Sequence, residues 1–150
     1  MGSCIMINCG QCGYEKSFIL GIGFAYSPYS VFYDRPDEPG IEERKPLLAS
    51  LVKSSKTRKE ALDLIAAGGL PGEYGHEVYG CPHCRHLCER FYFRIETKEK
   101  FFEPEYKCSK CKRTLLRLNF NSYGRRLQWP CPSCGKKKLS ICENIITLWD

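Results

Sequence analysis

Residues 108–135, CSKCKRTLLRLNFNSYGRRLQWPCPSCG, carry the pattern that decides the fold. The stretch begins with the pair Cys108/Cys111 and ends with the pair Cys131/Cys134, and 19 residues lie between the two pairs. Two cysteines three positions apart on a tight turn direct both sulfurs towards one point, which provides half of a tetrahedral thiolate site. The spacing between the pairs is typical of a four-cysteine zinc site, so the sequence predicts that they share one metal ion.

Two further Cys-x-x-Cys pairs predict a second site. Cys9/Cys12 and Cys81/Cys84 are separated by 68 residues, so their site would enclose a long insertion. Eleven cysteines without a secretory signal favour metal ligation in a reducing cytoplasm over disulfides. We predict two Zn²⁺ per chain. Iron is less favoured, because a Cys4 site accepts either metal but the sequence offers no electron-transfer context.

The residues around the pair Cys81/Cys84 leave the identity of one ligand open. Cys88 follows Cys84 by four residues, and His83 and His86 lie beside it, so one of these three could replace a predicted thiolate. Otherwise Cys4, Cys88 and Cys142 are expected to be packed or merely exposed side chains, since free cysteine is often buried and inert.

The pairs also carry a family resemblance. The segment Cys9-Gly-Gln-Cys-Gly-Tyr14 resembles a rubredoxin-type knuckle, and residues 106–148 resemble a zinc ribbon whose last knuckle is Cys131-Pro-Ser-Cys-Gly135. Through its first knuckle and residues 78–97, the whole chain is similar to small bacterial proteins with two zinc ribbons and no settled role. The resemblance implies metal binding and a cytoplasmic bacterial protein, and it implies no activity.

The remaining patterns predict an α+β fold with mostly antiparallel strands and one main helix. That helix begins near Thr57, where Thr57-Arg-Lys-Glu60 has capping-box spacing, and ends at Gly68-Gly69. Two modules are predicted: residues 1–97, with an insertion at about 21–77, and a basic C-terminal ribbon at 98–150. A short helix is expected at 47–52, loops at 27–46 and 70–75, and strands at 17–20, 89–97, 114–120, 125–129 and 139–148.

The charge distribution suggests a partner. Residues 81–150 contain 15 Lys and Arg against 7 Asp and Glu, whereas residues 1–80 contain 8 against 10. We predict nucleic-acid binding by the basic ribbon, with Tyr123 and Trp129 available for base stacking, although Trp129 could instead cover a metal site. The predicted nucleic-acid residues are Lys110, Lys112, Arg113, Arg117, Tyr123, Arg125, Arg126, Lys136, Lys137 and Lys138.

The sequence also bears on two other classes of function. A protein-docking adaptor, regulator or inhibitor is the alternative, because the aromatic residues of 24–43 (Phe24, Tyr26, Tyr29, Phe32 and Tyr33) could anchor a protein partner. An enzyme is not expected: four thiolates fill the coordination shell of zinc, although His76, Glu77, His83, His86 and Cys88 could form a mixed site. No apolar run is long enough to span a membrane.

Overall fold

The computed structural model describes residues 2–23, 26–33, 46–118 and 126–149, with the side chains of 126 and 143–149 excepted. The predicted α+β class is confirmed: antiparallel strands predominate, and one helix is much longer than the others. Within these ranges the elements are β1 (Gly2–Cys9), β2 (Glu15–Leu20), α1 (Pro28–Phe32), α2 (Leu48–Leu51), α3 (Ser55–Ala66), β3 (Leu70–Gly80), β4 (Leu87–Glu96), β5 (Phe101–Phe102), β6 (Leu116–Arg117), β7 (Arg126–Leu127) and β8 (Leu139–Trp149).

The chain forms two compact units, each built from separate stretches. The first unit comprises residues 1–21, 76–90 and 105–149, and the second comprises 22–75 and 91–104 with residue 150. These boundaries differ from the division at residue 97 that the sequence suggested. All eight cysteines of the Cys-x-x-Cys pairs belong to the first unit.

The sheet of the first unit joins the two ends of the chain. Its strand order is β2-β1-β8-β7, with β1 antiparallel to both β2 and β8. The register places Gly2 opposite Trp149 and Cys9 opposite Leu139. Alternate residues of β1 are buried, as expected for a half-buried strand, and Ile5 and Ile7 enter a core with Phe18 of β2. The sequence interpretation missed β1.

The second sheet has the order β5-β4-β3-β6. The prediction of a loop at 70–75 is wrong, because these residues form the first part of β3. The loop was predicted because this stretch contains Pro71, Gly72 and Gly75, and proline and glycine are common in turns. A Cβ at Gly72 would lie 3.3 Å from the carboxylate of Glu96, an exposed side chain that can move aside.

Helix α3 lies in the second unit. Its N-cap is Ser54, whose side chain accepts the amide of Thr57, so the helix starts earlier than the predicted cap at Thr57. The prediction that the helix ends at Gly68-Gly69 is confirmed. The last helical residue is Ala66, and Gly68 has a φ of +93°, which a helix cannot contain. The prediction of a loop at 27–46 is wrong for residues 28–32, which form α1 and bury Val31 and Phe32 fully.

Candidate metal centres

Each Cys-x-x-Cys pair lies in the same six-residue turn, here called a knuckle. In every knuckle the amide of the first cysteine donates to the carbonyl five residues later, at 2.8–2.9 Å. The amide of the residue after the second cysteine donates back to the first cysteine carbonyl, at 2.8–3.2 Å. The knuckles are knuckle 1 (residues 9–14), knuckle 2 (81–86), knuckle 3 (108–113) and knuckle 4 (131–136).

The residue after the second cysteine has a positive φ in all four knuckles. Gly13 has a φ of +71° and Gly135 of +74°, a conformation that glycine adopts at little cost. Arg85 and Lys112 take the same conformation, at +63° and +62°, although a side chain makes it unfavourable. A missing glycine therefore does not prevent a knuckle from closing.

The sulfurs form two groups, and the predicted pairing of knuckles is wrong. Knuckle 1 joins knuckle 4, and knuckle 2 joins knuckle 3; within each group the four sulfurs lie within 4.8 Å of one another. We call the first group the terminal site (Cys9, Cys12, Cys131 and Cys134) and the second the central site (Cys81, Cys84, Cys108 and Cys111).

Strand pairing explains which knuckles meet. Knuckle 1 follows β1 and knuckle 4 precedes β8, and the antiparallel pairing of these strands sets Cys9 opposite Leu139. Knuckle 2 connects β3 to β4, and β6, just after knuckle 3, pairs with the end of β3 at Gly80 opposite Leu116. The halves of each site are thus brought together by the sheets.

The sulfur geometry fits a tetrahedral metal ion. At a zinc–sulfur distance of about 2.3 Å, the edges of a tetrahedron of sulfurs are about 3.8 Å long. The distance between Cys9 and Cys134 Sγ is 3.8 Å, and that between Cys12 and Cys131 Sγ is 3.6 Å. In the central site the corresponding distances are 3.3 and 3.5 Å. All are far longer than a disulfide bond, and every cysteine is free.

The knuckle amides point at sulfur and make some thiols easy to ionise. Cys84 N lies 3.5 Å from Cys81 Sγ, whose pKa is lowered. Ser133 N lies 3.4 Å from Cys131 Sγ, but there burial outweighs the amides and raises the pKa to about 11. The amide of Tyr14 is the main reason why the pKa of Cys12 is lowered to about 7. Burial alone would raise the pKa of Cys108, but amide hydrogen bonds outweigh it and lower that pKa to about 6. Each site therefore contains a sulfur that can provide the first thiolate for a metal at neutral pH.

The alternative ligands do not join either group. Among the described residues, neither Cys88, His83 nor His86 belongs to a cluster of metal-binding geometry. Cys88 is buried against the central site in a cluster that contains Tyr79 and Leu115, as expected for a packed cysteine. His83 is exposed.

Trp129 links residues that flank the two sites. Its indole Nε1 donates to the carbonyl of Arg85 at 3.2 Å, and its ring lies against Gly80, the residue before Cys81. The guanidinium of Arg85 in turn lies over Gly135 of knuckle 4. Trp129 is thus packed between segments of the two sites, which favours the structural role over base stacking.

The predicted nucleic-acid residues are only partly described. Lys110, Lys112 and Arg113 are exposed on knuckle 3, and Lys136–Lys138 are exposed on and after knuckle 4. Arg117 is exposed on β6. Tyr123, Arg125 and the side chain of Arg126 lie outside the described part, as do Phe24 and 34–43 of the aromatic segment.

A half-buried carboxylate on β4, that of Glu89, is hydrogen-bonded to residues of β2 and β3. Glu89 Oε1 lies 2.9 Å from His76 Nδ1, and Glu89 Oε2 accepts the amide of Ile19 at 2.8 Å. His76 itself exchanges two backbone hydrogen bonds with Gly21. Partial burial raises the pKa of Glu89, but the hydrogen bonds from His76 and Ile19 outweigh it and leave the pKa below its usual value of 4.5.

We expect Glu89→Gln to destabilise the protein by about 1–2 kcal/mol at neutral pH, because the charged acceptor is lost. Since the folded-state pKa is lowered, this contribution is present above pH 4.5 and disappears as the pH falls through the folded-state value. Urea unfolding as a function of pH tests this. The matched control is Glu15→Gln, which changes an exposed glutamate on β2. Equal stability of the two variants at pH 7 would contradict the assignment.

Fold and sites together define the class: an α+β protein with two four-cysteine clusters of metal-binding geometry. Comparison of the chain with models of protein families, with curated proteins and with solved structures finds no match. In the described ranges, no helix has the length and apolar character that crossing a membrane requires.

Proposed function

We propose that this protein is a non-enzymatic zinc protein that binds nucleic acid through a basic surface held by its two structural Cys4 sites. Four thiolates fill the zinc shell and leave no position for water or substrate, which supports a structural role rather than a catalytic one. Thiolate ligands persist in a reducing compartment, so the proposal includes a cytoplasmic location.

The observation that carries the proposal is the charge of the first unit. It contains 13 Lys and Arg against 5 Asp and Glu, a net charge of +8, while the chain as a whole carries +6. Among the described residues, no carboxylate pairs with Lys110, Arg113 or any lysine of 136–138. Exposed, unpaired cations on a rigid framework are suited to contacts with phosphates.

Charge compensation is the competing explanation for these cations. A zinc ion with four thiolates carries two excess negative charges, and nearby lysines would stabilise it without any nucleic acid. This explanation fits Lys110 and Lys112, which both lie within knuckle 3. It fits Lys137 and Lys138 less well, because they lie outside knuckle 4, which ends at Lys136.

The test is salt-dependent binding of a fluorescently labelled single-stranded or duplex oligonucleotide. We expect the affinity to fall steeply as salt rises. Replacing Lys136, Lys137 and Lys138 by glutamine should reduce the slope of log K against log salt by about 2–3, since each phosphate contact contributes about 0.7–0.9.

The matched control removes three exposed charges from the second unit, at Lys53, Lys56 and Lys98. This variant should bind almost as the unchanged protein does. Absence of binding in low salt, or equal effects of the two triple variants, would exclude a nucleic-acid surface after knuckle 4. Absence of binding would leave protein docking as the function to pursue.

A further inference from the structure

The two metal sites differ in how exposed their cysteine residues are. In the terminal site Cys12 and Cys134 are exposed, whereas every ligand of the central site is buried or half-buried. The central sulfurs also belong to a packed cluster in which Tyr79 and Tyr106 contact each other edge to face, with their ring centroids 5.3 Å apart. A chelator can therefore approach the terminal site more easily than the central one.

Exposure matters because metal leaves a thiolate site by ligand exchange. A donor atom of the chelator must reach the ion as a sulfur leaves it, and the released thiolates take up protons according to their pKa values. No electron is transferred in this step. The site with two exposed cysteine residues should exchange first.

The terminal site also positions the lysines that follow it. The amide of Cys131 donates to the carbonyl of Lys136 at 2.9 Å, and the amide of Gly10 in knuckle 1 donates to the carbonyl of Lys138 at 3.1 Å. The backbone of 136–138 is therefore hydrogen-bonded to both knuckles of the terminal site. When the ion leaves, the two knuckles lose their shared metal, and only backbone hydrogen bonds and the pairing of β1 with β8 still hold these lysines in place.

We propose that the terminal site is a labile metal switch: it releases its ion before the central site does, and its release weakens anion binding by Lys136–Lys138. The central site remains loaded and maintains the packed cluster around it. The consequence for binding rests on the proposed nucleic-acid function, whereas the order of release does not.

The order of release is tested on the full zinc-loaded protein with 4-(2-pyridylazo)resorcinol, whose absorbance reports released zinc. We expect two phases of one ion each, with the first faster by about tenfold or more. Thiol alkylation followed by mass spectrometry should label Cys12 and Cys134 during the first phase and Cys84 and Cys111 only during the second. A single phase, or labelling in the reverse order, overturns the proposal.

The effect on binding is tested with Cys12→Ser. This variant should retain one zinc ion and the central site, and it should bind a labelled oligonucleotide about tenfold more weakly at low salt, as expected for the loss of a few phosphate contacts. The matched control is Cys4→Ser, which changes a cysteine of β1 outside both sites.

The outcomes separate the two proposals. If the unchanged protein binds no oligonucleotide, the proposed function fails, and the release order alone decides whether the terminal site is labile. If the unchanged protein binds and Cys12→Ser binds equally well with one zinc ion, the switch is overturned while the proposed function stands.

Discussion

Replacing Cys108 by serine is expected to unfold the first unit. Cys108 is fully buried and contributes one of the four sulfurs of the central site. A structural zinc site contributes on the order of 10 kcal/mol of metal-linked folding free energy, which is comparable with the whole stability of a typical domain. Circular dichroism should show loss of strand signal, and the zinc content should fall from two ions per chain to one or none.

The control is another cysteine of the same buried cluster. Cys88 packs beside the central site but donates no ligand, so Cys88→Ala should retain two zinc ions and lose only the few kcal/mol typical of a small core change. Chelation of the unchanged protein should reproduce the unfolding, and added zinc should reverse it. A Cys108→Ser protein with native melting behaviour would show that the site is not structural.

The local chemistry of the sites was predictable from the sequence, because it depends on short spacings. Two cysteines three apart define a knuckle whatever surrounds them, and all four knuckles close with the same two backbone hydrogen bonds. The strong apolar patterns of β4 and β8 and the helical pattern of α3 were recognised for the same reason: the decisive residues are neighbours in sequence.

The pairing of the knuckles was not predictable in this way. The 19 residues between Cys111 and Cys131 suggested that knuckles 3 and 4 meet, because a short hairpin is the simplest way to join two half-sites. The structure instead pairs β1 with β8, which brings Cys9 beside Cys134 across 125 positions of sequence. Spacing identifies half-sites, but long-range strand pairing decides which halves share an ion.

The missed strand β1 contained a usable signal. Ile5, Ile7 and Cys9 alternate with less buried residues and pack into the core of the first unit. This alternation predicts a strand leading into knuckle 1, just as the pattern of 17–20 predicts the strand leading out of it. The partner of that strand would still have remained open, since nothing local distinguishes β8 from β4.

Replacing Gly80 by alanine is expected to disturb both metal sites at once. A Cβ at Gly80 would lie 2.5–2.8 Å from three ring atoms of Trp129, closer than any tolerated contact. The rigid indole would have to move, which would break its hydrogen bond to Arg85 and displace the segments leading into Cys81 and Cys131. Overpacking of this kind costs about 1–3 kcal/mol.

The measurements are the melting temperature and the zinc affinity of each site by chelator competition, and both should decrease. Gly10→Ala is the matched control: Gly10 also lies in a knuckle, but a Cβ there meets nothing within 4 Å and its φ is not positive. The double variant Gly80→Ala with Trp129→Leu should recover part of the loss, because the smaller side chain makes room for the added methyl group. If Gly80→Ala behaved like Gly10→Ala, Trp129 would not be packed against Gly80. The two sites would then fold independently of this contact.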